Sequence, residues 1–232
     1  MKHSAPINAI LKRQREANAK RENTYSLQHT VQIAQIAKAV ESLENLSINK
    51  SPIDTDAAHT LKLAKATENL KLKAQKMRED AHETYRSGLM DIESAIKKQA
   101  GLIADSNASE IRQALRMMKP EERHEALNNA LKNGEGVIIA AIVDAPTLLT
   151  GIDPKLASRY QESLERMKAP DLVADRDSLN DSFTTALTVL KSVDNAINAG
   201  FDREKLQEIS ASEKRHQEAA MGFENAIAGE NT

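Results

Sequence analysis

The chain has 232 residues, enough to bury a core, and its apolar content is 40% with only 3% aromatic, so aliphatic residues and alanine must supply that core. It carries 32 Lys and Arg against 34 Asp and Glu, a formal charge of −2 that excludes the global basicity of a nucleic-acid or membrane-surface binder. With no cysteine there is no disulfide framework and no thiolate nucleophile or ligand, and no run approaches the ~20 apolar residues of a membrane span.

Residues 1–24 read as a basic arm. After Ile7, Ile10 and Leu11 the segment "KRQREANAKRENT" is polar on every side, and residues 1–24 hold six Lys or Arg against two Glu. A helix without an apolar stripe is weakly stable alone, so this segment is expected to be mobile or ordered by a partner. Its basic residues Lys12, Arg13, Arg15, Lys20 and Arg21 are the candidate contacts, with an acidic protein surface or DNA as the expected partner.

From Leu27 to Leu46 an apolar stripe runs through Ile33, Ile36, Val40 and Leu43 in steps of three and four. "SINKSPIDTD" breaks it, because Pro52 disfavours helix before it, and Asp54 or Thr55 can cap the next helix. From Asp56 to about Ala104 there is no proline, and Leu63, Leu70, Ala74, Met77, Ala81, Tyr85, Gly88, Ile92 and Ala95 form a near-heptad seam. Residues 25–104 are therefore expected to form one long, partly coiled-coil helical hairpin.

Residues 105–170 change style. Pro120 and Pro154 occupy first-turn positions, Asp153 can cap, and Gly134, Gly136 and Gly151 mark stops, which predicts a compact cluster of short helices. Within it the seven residues Val137–Val143 carry no polar side chain. A buried strand fits that run, but no other segment offers it a partner strand, so a short, fully buried helix is the expectation. Its expected neighbours are Ile111, Leu115, Leu127, Leu131, Leu148, Leu156 and Leu164.

Residues 171–232 return to long helices and end in a frayed tail. Leu179, Phe183, Ala186, Leu190, Val193 and Ile197 step by four and three, a seam that could close against another copy of the chain. Gly200 is the expected stop and Asp202 the next cap, before an amphipathic stretch with Leu206, Ile209 and Phe223. The fold class that follows is all-α: a long hairpin, a short-helix cluster and a C-terminal helical pair.

Three Glu-x-x-His pairs, Glu79/His82, Glu121/His124 and Glu213/His216, have the spacing of di-iron ligands in ferritin-like bundles, because i and i+3 share a helix face. Their surroundings are charged rather than apolar, so a solvated face is the better reading and no metal is expected. "NGEG" lacks the Lys-Ser/Thr of a P-loop and the third glycine of a dinucleotide fingerprint. Tyr25, Tyr85 and Tyr160 read as packing residues, and no serine lies in Gly-x-Ser-x-Gly. No catalytic residue and no cofactor is expected.

Within Ile111–Ser158, "EIRQALRMMKPEERHEAL", "NGEGVIIAAIVDAP" and "LLTGIDP" resemble a segment of small helical proteins encoded among the structural genes of tailed bacteriophages and prophages. The segment is about a fifth of the chain and contains no catalytic motif. The resemblance implies a non-enzymatic role in virion structure or assembly, as scaffold, internal core or ejection protein, or head-completion component. The implied partners are the chain itself, other virion proteins and packaged DNA through the N-terminal arm, without a membrane; the implied location is the virion or host cytoplasm. A bacterial cytoplasmic adaptor or regulator acting by protein–protein interaction is the alternative from the same long helices.

Overall fold

The computed structural model describes residues 3–20, 23–103, 106–143, 145–199 and 203–228. The protein is all-α, with no strand among the described residues. In chain order the helices are α1 (Ser4–Lys20), α2 (Thr24–Ile48), α3 (Asp56–Gln99), α4 (Ala108–Met117), α5 (Pro120–Asn133), α6 (Gly136–Val143), α7 (Thr147–Thr150), α8 (Pro154–Lys168), α9 (Pro170–Ala199) and α10 (Arg203–Ala228). They form two compact units, residues 1–83 with 182–232, and residues 84–181. The longest helix, α3, and α9 contribute to both.

The first unit is a helical bundle built from α1, α2, the first part of α3 and the last part of α9. Its core joins Ile7 and Leu11 to Ile33, Ile36 and Val40, to Leu70, Ala74, Met77 and Ala81, and to Ala186, Leu190 and Val193. Each set repeats at three- and four-residue steps, so every helix turns one continuous stripe inward. Thr55, one of the two proposed caps, accepts the Ala58 N–H at 3.1 Å and starts α3.

This unit corrects the expectation of a mobile arm at 1–24. The segment is helix α1, packed on α2, with Ile7, Leu11, Gln14 and Asn18 buried in a single 4-3-4 stripe. Half of that stripe is polar, so it carries no hydrophobic signature. Of its polar members, Asn18 turns Nδ2 toward α2, donating to Thr30 Oγ1 at 2.7 Å and to the Ser26 carbonyl at 3.4 Å, while its buried Oδ1 has no hydrogen-bond partner among the described residues. At the other end, the Glu44 carboxylate of α2 accepts the Ser4 N–H at 3.1 Å, the Ser4 hydroxyl and the His3 N–H, closing the first turn of α1. Burial works against the Glu44 charge, yet these hydrogen bonds from Ser4 and His3 outweigh it and hold the carboxyl below its usual value.

The expected long helices over 25–104 are α2 and α3 and the expected short helices over 105–170 are α4–α8, and the second compact unit begins at residue 84, inside α3, and ends at 181, inside α9. Its core includes Ala100 and Leu102 beside Leu115, Leu127, Ile139, Ile142, Ile152, Tyr160 and Leu164. The seven-residue apolar run lies in helix α6, with Ile139 and Ile142 fully buried, but it is not covered on every side as expected, since Val137 is exposed and Ile138, Ala140 and Val143 are half-buried. Ile111, Leu131 and Leu156 pack against this core as expected, whereas Leu148 is 75% exposed.

The two glycines before α6 have different duties. Gly134 ends α5 in the left-handed conformation, at φ +71°. Gly136 opens α6 against the chain at the end of α3, where an added Cβ would fall 2.2 Å from the Ala100 carbonyl oxygen and 2.5 Å from Gly101 C. Pro120 and Pro154 start α5 and α8, and Asp153 accepts the Lys155 N–H at 2.8 Å. The Arg123 guanidinium gathers the carbonyls of Leu115, Met118 and Gly151 at 2.6–2.9 Å, and so ties the ends of α4 and α7 to α5.

Candidate functional site

The six residues proposed as a self-association seam on α9 are largely covered by the chain itself. Leu179, Ala186, Leu190 and Val193 are fully buried, and Phe183 and Ile197 are half-buried. From Ala186 onward they fill the core of the first unit, between α2 and α3. The periodicity marked a helix that must be covered; the chain itself supplies the cover. On α3, Ala74 and Ala81 are buried in the same core, so the small-residue seam there is occupied as well.

The basic residues of the proposed arm are held on a rigid surface. Lys12, Arg13, Arg15 and Lys20 are exposed on the outward faces of α1, and Glu16 lies among them. Arg21 lies outside the described residues, as do Gly200 and Asp202. Lys12 and Arg15 line an open depression with Asn8, Leu11, Glu16 and Ala19, and a cationic strip of this kind attracts anions through screened, long-range electrostatics.

The most polar part of the bundle interior surrounds His29, which the sequence did not single out. Its side chain is fully buried on α2. Nε2 lies 3.3 Å from the Ala81 carbonyl of α3, and Nδ1 lies 2.8 Å from Ser182 Oγ of α9. A carbonyl only accepts, so Nε2 carries the hydrogen and Nδ1 accepts the Ser182 hydroxyl. Phe183 flanks the imidazole at 5.9 Å between ring centroids. Burial pushes the His29 pKa down, and the hydrogen bond to Ala81 offsets part of that. A serine beside a histidine invites comparison with a hydrolase, but Ser182 is fully buried and no substrate reaches its Oγ. The pair joins three helices of the bundle.

The Glu-x-x-His pairs are scattered. His82 is exposed and sets its ring edge against Phe183 at 5.0 Å, in the first unit. His124 is exposed and approaches Tyr160 edge-on at 6.2 Å, in the second. His216 is exposed on α10. Among the described residues no group of three or more His, Cys, Asp or Glu side chains is placed to hold a metal ion. Tyr160 and Tyr85 pack with their hydroxyls satisfied, donating to Asn128 at 3.0 Å and to Asn180 at 2.9 Å.

What remains is α10, 26 residues long. Leu206 and Ile209 are half-buried; beyond them every described side chain up to Ile227 is exposed, including Met221 at 57%, Phe223 at 66% and Ile227 at 71%. Leu206, Ile209, Ala220, Phe223 and Ile227 lie on one stripe of three- and four-residue steps. Helices in water draw most of their stability from packing an amphipathic face, and this face has no cover within the chain along most of its length. Among the described residues no helix is long and apolar enough to cross a membrane.

No family model matches the chain, and neither does any curated protein or solved structure.

Proposed function

We propose that this chain is a non-enzymatic structural or assembly protein of a tailed-bacteriophage particle, acting through protein–protein contact. The observation that carries the interaction part of this reading is α10, a long helix that presents an apolar stripe to solvent while the other helices spend theirs on the chain's own cores. Its placement in a phage particle rests on the resemblance of Ile111–Ser158 to phage-encoded helical proteins. That segment folds into most of α4, α5–α7 and the start of α8, and it shares its core with Ala100, Leu102, Tyr160 and Leu164 outside it. The exposed cations of α1, Lys12, Arg13, Arg15 and Lys20, suit packaged DNA or an acidic virion protein as a secondary contact.

Mass spectrometry of purified particles and precursor heads tests the reading. Presence in either supports it, with retention in mature particles marking a structural or ejected component and presence only in precursors marking a scaffold. Absence from both, together with recovery of one defined cellular partner, replaces it with an adaptor function.

A further inference from the structure

We infer that α10 is a self-association element through which two copies of the chain pair antiparallel, Glu213 of each copy facing His216 of the other. The inference deepens the interaction reading and rests on it. The stripe on α10 is a heptad seam, Leu206, Ile209, Glu213, His216, Ala220 and Phe223, in strict steps of three, four, three, four and three. Two charged or polar residues sit at its centre and apolar residues at both ends. Such a pattern is poor as a core-facing stripe, since Glu213 needs a partner wherever the seam is covered.

A second copy running in the opposite direction supplies that partner. In antiparallel coiled coils the first seam position of one helix layers against the second seam position of the other. Centring the pair on 213 and 216 sets Leu206 against Phe223, Ile209 against Ala220 and Glu213 against His216, each layer occurring twice by two-fold symmetry. The charge pattern is complementary: a carboxylate faces an imidazole that can donate to it. The bulk pattern is complementary too, with Ala220 making room for Ile209. The flanking seam positions Ser210, Ser212, Gln217 and Ala219 are uncharged, so no like charges confront each other across the middle of the pair.

Other arrangements of the same helix fail on the same residues. A parallel pair sets Glu213 against Glu213. Sliding the antiparallel pair by one heptad sets Glu213 against Phe223, with nothing to accept from. The exposure of Glu213, His216, Ala220 and Phe223 leaves them free of competing cover inside the chain.

The experiment uses the full chain, with dimerisation followed by sedimentation equilibrium and light scattering. Phe223→Asp should abolish the dimer. Glu213→Lys and His216→Glu should each weaken it at least about tenfold, because they set Lys against His or Glu against Glu in two symmetry-related layers. The double variant Glu213→Lys/His216→Glu should recover affinity to within about threefold of the original, because Lys then faces Glu across the antiparallel interface. Circular dichroism of each variant checks that the bundle and the second unit stay folded, since none of these side chains belongs to either core. A monomeric parent chain, a dimer that survives Phe223→Asp, or a double variant no better than its singles overturns the inference. Particle composition is read separately, so a monomeric chain found in virions would defeat the pairing and spare the functional reading.

Discussion

Lowering the pH should loosen the helical bundle through His29, in a window above that of Glu44 and Asp56. His29 is fully buried and neutral, donating to the Ala81 carbonyl at 3.3 Å and accepting the Ser182 hydroxyl at 2.8 Å. A second proton must go onto Nδ1, which turns an accepted hydrogen bond into a confrontation of two donors until Ser182 rotates. It also places a charge among Phe183 and aliphatic neighbours. The folded-state pKa is therefore below the ordinary 6.5. As pH falls through that ordinary value, the unfolded chain takes up the proton first. The contribution of His29 to stability is thus complete above about pH 6.5 and is lost below it, by up to about 1.4 kcal/mol per pH unit, until the buried ring protonates too. That limiting slope of about 1.4 kcal/mol per pH unit is set against the ~5–15 kcal/mol that holds a domain together. His29→Gln keeps a donor and an acceptor but does not titrate, so the variant isolates the effect. His82 against Phe183 and the Arg78–Asp194 ion pair at 3.0 Å are unchanged in it. The lowered carboxyl pKa values of Glu44 and Asp56 act in another window, releasing their contributions only as pH drops below their ordinary values of 4.5 and 3.8. Amide hydrogen exchange across α2, measured for both proteins from about pH 8 to about pH 5 and corrected for intrinsic rates, reads the bundle without interference from the second unit. Parallel profiles for the two proteins would refute the reasoning.

The remaining predictions concern the second unit. Ile142, 1% exposed, should not tolerate Asp: an unpaired carboxylate there costs several kcal/mol and melts the unit, whereas Ile142→Val costs about 1 kcal/mol, both readable by thermal denaturation. Gly136→Ala should cost about 2–3 kcal/mol, because the new methyl meets the backbone of Ala100 and Gly101 and no side-chain rotation relieves it. Arg176→Ala should cost about 3–5 kcal/mol, since it removes the guanidinium that contacts the buried Glu165 carboxylate at 2.9 Å and leaves that charge with the neutral Gln161 amide, which donates to it at 2.6 Å. Arg176→Met combined with Glu165→Gln should recover most of that loss, as measured by urea denaturation.

The helices were legible where burial is carried by aliphatic side chains at helical spacing, as in Ile33–Leu43, Leu70–Ala81 and Leu179–Val193. The cap at Thr55, the stop at Gly134 and the placement of Ile139 and Ile142 were legible for the same local reasons. Tertiary assignment was not. A seam says that a helix is covered but not by which surface, so α9 could equally have sought a second copy, and the boundary between the two units inside α3 leaves no mark in an uninterrupted heptad pattern. The packing of α1 was hidden because polar Gln14 and Asn18 occupy core positions, and the groups that Asn18 Nδ2 donates to lie on another helix. His29 was hidden likewise: its partners Ala81 and Ser182 are 52 and 153 residues away, and nothing in its own neighbourhood announces them.

The second unit interrupts the first within two helices rather than at loops, and this has a consequence for how the chain acquires its fold during synthesis. The bundle needs Ala186, Leu190 and Val193 from α9 to complete its core, so it stays unfinished until α9 has left the ribosome. Residues 84–181 have all their partners close in sequence and can fold first. In doing so they bring their own two ends together, with Tyr85 donating to Asn180 at 2.9 Å. A loop of roughly a hundred residues then acts as a short one, and the entropy of joining α9 to α2 and α3 is largely spent before those helices meet. The inserted unit thus serves as an internal clasp, and damage to it should surface first as a failure of the bundle to assemble.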